Sequence, residues 1–188
     1  MSQSSLNTQA IIVNTKDNKE KNLSVTILTP NLGKIYAYAT GAKSINSSRS
    51  ANLQLGNIVK ISLFQKNNSY WITECQSTLS FLQKDHQLIQ LNLLFYFLEI
   101  LKNFAPENEI SLKLFDLSSQ TITALYNNNW PQFIKKQIEI LNTLGFGAPA
   151  DLQENYINKD YQLAQQQLII YFESILQKPL ASHKLLTK

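Results

Sequence analysis

The stretch Leu32–Phe64, LGKIYAYATGAKSINSSRSANLQLGNIVKISLF, holds two strand-like segments separated by a long gap. In the first segment Ile35, Ala37 and Ala39 share one face, while Tyr36, Tyr38 and Thr40 share the other. In the second, Val59, Ile61 and Leu63 alternate with Lys60 and Ser62. Alternation of this kind marks a half-buried strand, because successive side chains point to opposite faces. The gap, residues 41–56, opens on Gly41, is rich in serine, and carries Lys43 and Arg49, the only arginine in the chain.

The flanking segments extend the pattern. Upstream, AIIV at 10–13 is apolar and β-branched, and Leu23, Val25 and Ile27 alternate with Ser24 and Thr26. TPNLGK at 29–34 supplies turn residues in Pro30, Asn31 and Gly33. Downstream, SYWITECQ at 69–76 follows the turn KNNS. Five short strands with the longest gap between the third and fourth suit a Greek-key barrel of the OB type. An SH3-like barrel or an open sheet has the same pattern.

Beyond residue 80 the period changes. Residues 84–104 are apolar almost all round, as in a buried central helix. Leu114, Leu117, Thr121 and Leu125 recur at helical spacing after the acidic approach PENE, as do Ile134, Ile138 and Leu141. Gly145 follows as a C-cap, and FGAPADLQEN at 146–155 reads as a loop. Tyr161, Ala164, Leu168, Phe172 and Ile175 mark a last helix stopped before Pro179. The expectation is an α+β chain: an N-terminal five-stranded OB-fold barrel over 1–79 and an all-helical C-terminal domain over 80–188, with no flexible linker between them.

Composition narrows the function classes. The chain has 188 residues, 44% hydrophobic and only 16% charged. Residues 1–80 hold eight Lys/Arg against three Asp/Glu, and residues 81–188 hold nine Lys against ten acids. The positive balance therefore belongs to the barrel, from a polyanion partner or from drift in composition. The single cysteine, Cys75, excludes a disulfide framework and a cysteine-based zinc site. The longest apolar run, LLFYFL at 93–98, is far short of the ~20 residues a membrane span needs. The start MSQSSLNTQ lacks the order of a signal peptide, so a cytoplasmic chain is expected.

Catalytic signatures are missing from the sequence. His86 and His183 sit in no known constellation, no nucleophile elbow or phosphate-binding glycine loop occurs, and GFG at 145–147 follows a helix. No enzymatic activity and no cofactor are expected. A binding site is better supported. Tyr36 and Tyr38 offer an aromatic face, with Lys43, Arg49 and Lys60 beside it. OB barrels hold single strands this way, with rings under bases and cations along phosphates. The same tyrosines also suit rim packing.

The order of short motifs across Leu32–Phe64 resembles the N-terminal barrel of the RecO family of bacterial recombination mediators. The motifs are Gly33-Lys34, Gly41-Ala42-Lys43, Ser48-Arg49 and Leu53-Gln54. FDLSSQTITALYNN, KKQIEILNTLGFGAP and LQKPLASHKLL at 176–186 look like the family's helical segments and ending. The resemblance implies an OB-fold barrel, a helical domain and no catalytic turnover. It implies binding of single- and double-stranded DNA, annealing of complementary strands, and a nucleoid-associated location. The implied partners are RecR, single-stranded-DNA-binding protein and, indirectly, RecA. The expected DNA-contacting residues are Lys34, Tyr36, Tyr38, Lys43, Arg49 and Lys60. Two departures stand out. Many members carry a four-cysteine zinc site after the LGFGAP segment, and ADLQENYINKDYQ here has no cysteine. The loop after the third strand is usually more basic; with about four phosphate contacts, the salt slope on single strands is expected near −3. Two rival readings are a protein–protein adaptor with weak DNA binding, docking through the helical half and the tail from Lys178 to Lys188, and an RNA-binding barrel.

Overall fold

Five strands close into a barrel in the order β1-β2-β3-β5-β4, with β4 returning to β1. They are β1 (Ser4–Asp17), β2 (Leu23–Thr29), β3 (Gly33–Ala39), β4 (Ile58–Lys66) and β5 (Ser69–Leu79). The structure is a computed structural model and describes residues 4–18, 21–44, 47 and 49–186. All pairings are antiparallel except β3 with β5, which run parallel. That order with its one parallel contact is the OB topology, and closure rules out the open sheet.

The barrel interior follows from the alternation. Ile35, Ala37 and Ala39 point inward with Ile12, Val25, Ile27, Val59, Ile61, Leu63 and Ile72. Small alanines opposite branched residues let side chains fill a narrow lumen. β1 is much longer than residues 10–13. Its first half pairs with β4, from Ser4↔Gln65 to Ile11↔Ile58, and its second with β2, from Ile11↔Leu28 to Asp17↔Leu23. Ladder hydrogen bonds hold the polar stretch before Ala10, where hydrophobic pattern gives no strand signal. A register shift between Ile12 and Asn14 marks where β1 changes its lean. The β4–β5 hairpin turns on Asn67 and Asn68, both at positive φ (50° and 59°), the type I′ geometry that asparagine tolerates.

Residues 41–56 are not all loop. They contain a one-turn helix, α1 (Arg49–Asn52), tied to β5 by side-chain amides. Asn52 Nδ2 donates to Cys75 O at 3.1 Å, and its Oδ1 accepts from Ser77 N at 3.1 Å. Asn57, fully buried, donates to Ala51 O and Asn52 O and accepts from Phe81 N. Ile45, Asn46 and Ser48, named in the motif reading above, lie outside the described residues.

The remaining helices are α2 (Leu88–Phe104), α3 (Leu112–Tyr126), α4 (Trp130–Thr143), α5 (Ala150–Ile157), α6 (Tyr161–Leu176) and α7 (His183–Leu186). α2 begins at Leu88, because residues 81–83 form a 3-10 turn first. Gly145 (φ +84°) follows the C-cap Leu144, with Phe146 N bonded to Leu141 O and Gly145 N to Asn142 O, a Schellman ending. The expected loop at 146–155 is corrected: α5 starts after Pro149 (φ −55°, ψ 150°), with Asp151 in its first turn. Only Leu152 of this helix is buried, so no apolar period announces it.

The chain divides into two compact units. One is Met1–Asp85 with Ala105–Phe115, and the other is His86–Phe104 with Asp116–Lys188. A single cut near residue 79 leaves Ala105–Phe115 unaccounted for, because that segment packs with the barrel. In the second unit Glu99 of α2 accepts from Ala181 N (2.9 Å), Ser182 N (2.9 Å) and Ser182 Oγ (2.7 Å). Glu173 of α6 accepts from Leu180 N at 2.9 Å and meets His183 Nδ1 at 2.8 Å. Two carboxylates thus fasten the segment from Leu180 to His183.

Candidate nucleic-acid interface

β3 alternates as its sequence requires. Tyr36 and Tyr38 face outward, 57% and 39% exposed, between buried Ile35, Ala37 and Ala39. The parallel register places Tyr38 beside Trp71 of β5, and the β4–β5 register places Trp71 opposite Phe64. Ring centroids are 6.0 Å apart for Tyr38–Trp71 and 6.5 Å for Trp71–Phe64, both tilted. Three rings from three strands thus form a row on the outside of the barrel, with Tyr36 at one end. Alternation in SYWITECQ carries the signal for Trp71, since Ile72 points inward; the sequence reading stopped at the tyrosines.

Further along β4 and β5, these strands and β1 form a shallow groove of about 470 Å³ lined by Asn7, Gln9, Lys60, Ser62, Glu74 and Gln76. Lys60 is exposed, opposite Gln9 and Gln76, and has no ion-pair partner among the described residues. Glu74 adds a negative charge and accepts from Ser62 Oγ at 3.2 Å. Cys75, half-buried on β5, has its thiol pushed up to about 12 by burial, with the Arg49 charge pulling the other way. It stays protonated and unreactive at neutral pH.

The other predicted cations sit apart from one another. Lys43 is exposed at the barrel end, its Nζ 2.5 Å from Asp17 Oδ2 and its N–H donating to Lys21 O. Arg49 is half-buried. Its Nη2 donates to Thr40 O at 2.9 Å and its Nη1 to Ile72 O at 3.3 Å. β3 and β5 pair only at Ala37–Tyr38 and Tyr70–Trp71, so the guanidinium bridges the two strands where they part. Lys34 is 5% exposed. Its Nζ lies 3.9 Å from Glu107 Oε1, beneath the segment that returns to the barrel. The structure therefore places Tyr36 and Tyr38 on the outer face of β3, while Lys60 stands on β4 four residues along from Phe64, opposite Gln76. Lys43 stands at the barrel's end, Arg49 serves as a clamp, and Lys34 is covered.

Glu107 is the residue the sequence reading missed at this face. Tyr36 Oη donates to its Oε1 at 2.7 Å. That bond to a carboxylate, aided by partial burial and the negative charge, raises the Tyr36 phenol above its ordinary value.

The family profile described as "Recombination protein O N terminal" matches residues 1–81, the span from β1 to the 3-10 turn. A curated protein of Dehalococcoides mccartyi named DNA repair protein RecO is 31% identical over 147 residues, 78% of this chain and 58% of its own length. The chain belongs to the RecO family. Its RecO relative from Syntrophobacter fumaroxidans is 27% identical over 118 residues, covering 63% of this chain and 47% of the relative. That from Rhodopirellula baltica is 30% identical over 111 residues, covering 58% and 41%. This RecO chain thus spans little more than half the length of the curated relatives it matches. Its closed barrel and following helices fit the family's OB-fold and helical parts. No described helix is long and apolar enough to cross a membrane.

Proposed function

We propose that this RecO-family chain acts in DNA repair and recombination as a DNA-binding mediator that anneals complementary strands. The observation that carries the reading is the row Tyr38–Trp71–Phe64 on the outside of the barrel, with Lys60 further along β4. Partly exposed rings in a row are costly on a surface with no partner, and they suit unpaired bases, which stack on them at about 1–3 kcal/mol each. Lys60 and, further off, Lys43 attract phosphates. Neutralised strands approach and pair without any catalytic group. RecR, single-stranded-DNA-binding protein and the loading of RecA belong to the same proposal.

The test is fluorescence anisotropy of a labelled oligonucleotide with the purified chain at ~50 mM salt, followed by an annealing assay on complementary strands. Binding that weakens with salt, with annealing above the spontaneous rate, supports the proposal. Absence of both removes it, and a labelled RNA competitor that wins over DNA redirects it.

A second reading rests on the helical unit. Ile89, Leu93, Trp130, Tyr161, Ile169 and Leu186 line a mostly apolar groove of about 400 Å³. Such a groove suits a protein partner. Retention of single-stranded-DNA-binding protein or RecR without DNA, by a chain that fails the anisotropy test, favours the adaptor.

A further inference from the structure

The outer edge of β3 is shared. β2 pairs with one edge throughout, from Leu23↔Ala39 to Thr29↔Gly33. On the other edge β5 reaches only Ala37 and Tyr38. The first half of that edge is taken by residues 106–109. Lys34 N donates to Pro106 O at 3.3 Å, Asn108 N donates to Lys34 O at 3.0 Å, and Lys34 and Glu107 form a parallel bridge. Gly33 sets how closely this strap lies. At φ +69°, a Cβ on it would stand 2.1 Å from Glu109 O.

The strap is acidic where it borders the row of rings. The Glu107 side chain is 49% exposed, with Tyr36 Oη on one side and the Lys34 ammonium on the other. The Lys34 side chain is only 6% exposed, so the charge that faces solvent is the carboxylate's. Glu109, exposed two residues on, adds a second negative charge, and the exposed Lys66 of β4, opposite Ser69, is the cation across β5 from this end. On the β2 side of the strap, Thr26 and Leu28 are buried and offer no cation.

We propose that Glu107 limits the affinity of the barrel for single-stranded nucleic acid and directs its path. Its carboxylate turns phosphates away from the Tyr36 end, so a strand lies across Tyr38, Trp71 and Phe64; Glu74, opposite Ser62, keeps it from running on to Lys60. This rests on the reading above that the outer face binds single strands. A phosphate on a base stacked at Tyr36 would lie within a Debye length, about 8–10 Å, of the carboxylate, where repulsion is only partly screened.

The test compares wild type with Glu107→Gln and Glu107→Lys by anisotropy on a labelled oligothymidylate. The Glu107→Gln side chain keeps an oxygen that accepts from Tyr36 and removes the charge, including the one beside the Lys34 ammonium, so thermal stability is measured alongside. At ~50 mM salt the Gln variant binds about two- to five-fold tighter, the Lys variant tighter still, and both gains shrink toward unity as salt rises. A gain in affinity cannot come from misfolding. Should the Lys variant unfold, the Gln variant decides. Wild-type binding with no gain in the Gln variant, at unchanged thermal stability, overturns the role of Glu107 and leaves the face intact. No binding by any of the three proteins overturns the face itself, and Glu107 with it.

Discussion

Tyr38 and Trp71 face each other across the single parallel contact of the barrel, their ring centroids 6.0 Å apart. Only closure of the barrel brings them together, and it places the two rings on the outer surface at its centre.

Replacing Trp71 by alanine is expected to weaken single-strand binding by about 1–3 kcal/mol, the worth of one stacked base. Phenylalanine at the same position should retain most of the affinity. Anisotropy with the two variants checks this, with thermal unfolding as the control for the barrel. Equal affinity for wild type and Trp71→Ala would remove the ring from the site.

Lys43 and Arg49 should separate by measurement. Arg49→Ala loses two charge-assisted hydrogen bonds, to Thr40 O and Ile72 O, and should destabilise the barrel by about 1–3 kcal/mol. Arg49→Lys should rescue little, because an ammonium cannot span both carbonyls as a planar fork does. The salt slope of DNA binding should barely change in either. Lys43→Ala should leave stability nearly unchanged and make the slope shallower by up to about 0.7. A slope change in Arg49→Ala with no loss of stability would reverse the assignment.

Gly33→Ala should be strongly destabilising, by more than about 2 kcal/mol. The left-handed φ of +69° disfavours any side chain, and the added Cβ meets backbone atoms of Glu109 that cannot swing aside. Chemical denaturation gives the value, and a midpoint equal to wild type would show that the strap is free to move.

Glu99 carries a pH dependence. Burial acts to raise its pKa, but the hydrogen bonds from Ser182 and Ala181, with Lys102 nearby, outweigh it and leave the carboxyl below its ordinary 4.5. A folded-state value below the unfolded one contributes stability at pH above 4.5, lost as pH falls through the lowered value. Hydrogen exchange at the Ala181 and Ser182 amides should therefore accelerate on acidification below that range. In Glu99→Gln this acid response should be absent. The same acceleration in Glu99→Gln would place the latch elsewhere.

The barrel was legible because its information is local. Ile35, Ala37 and Ala39 against Tyr36 and Tyr38 is a period-two pattern within seven residues, and the long gap before Ile58 is the mark of the OB connection. The polar half of β1 escaped notice because β4 supplies its pairing. Nothing local to Lys34, expected as a DNA contact, shows that it is covered, because the strap lies far along the chain; Tyr36 and Glu107 are 71 positions apart. For Arg49, expected as a phosphate contact, a serine-rich loop gives no local reason to hold two strands together. That reason exists only where β3 and β5 diverge. For α5 the signal is one proline and one buried leucine, too little for periodicity.

The Arg49 clamp divides labour among the basic residues. The cation that holds β3 to β5 is not among those that stand open at the surface, which are lysines on strand faces and ends. Grip on a polyanion can then strengthen or weaken through single lysine exchanges while the barrel stays shut. Surface lysines can be exchanged this way while the scaffold is kept.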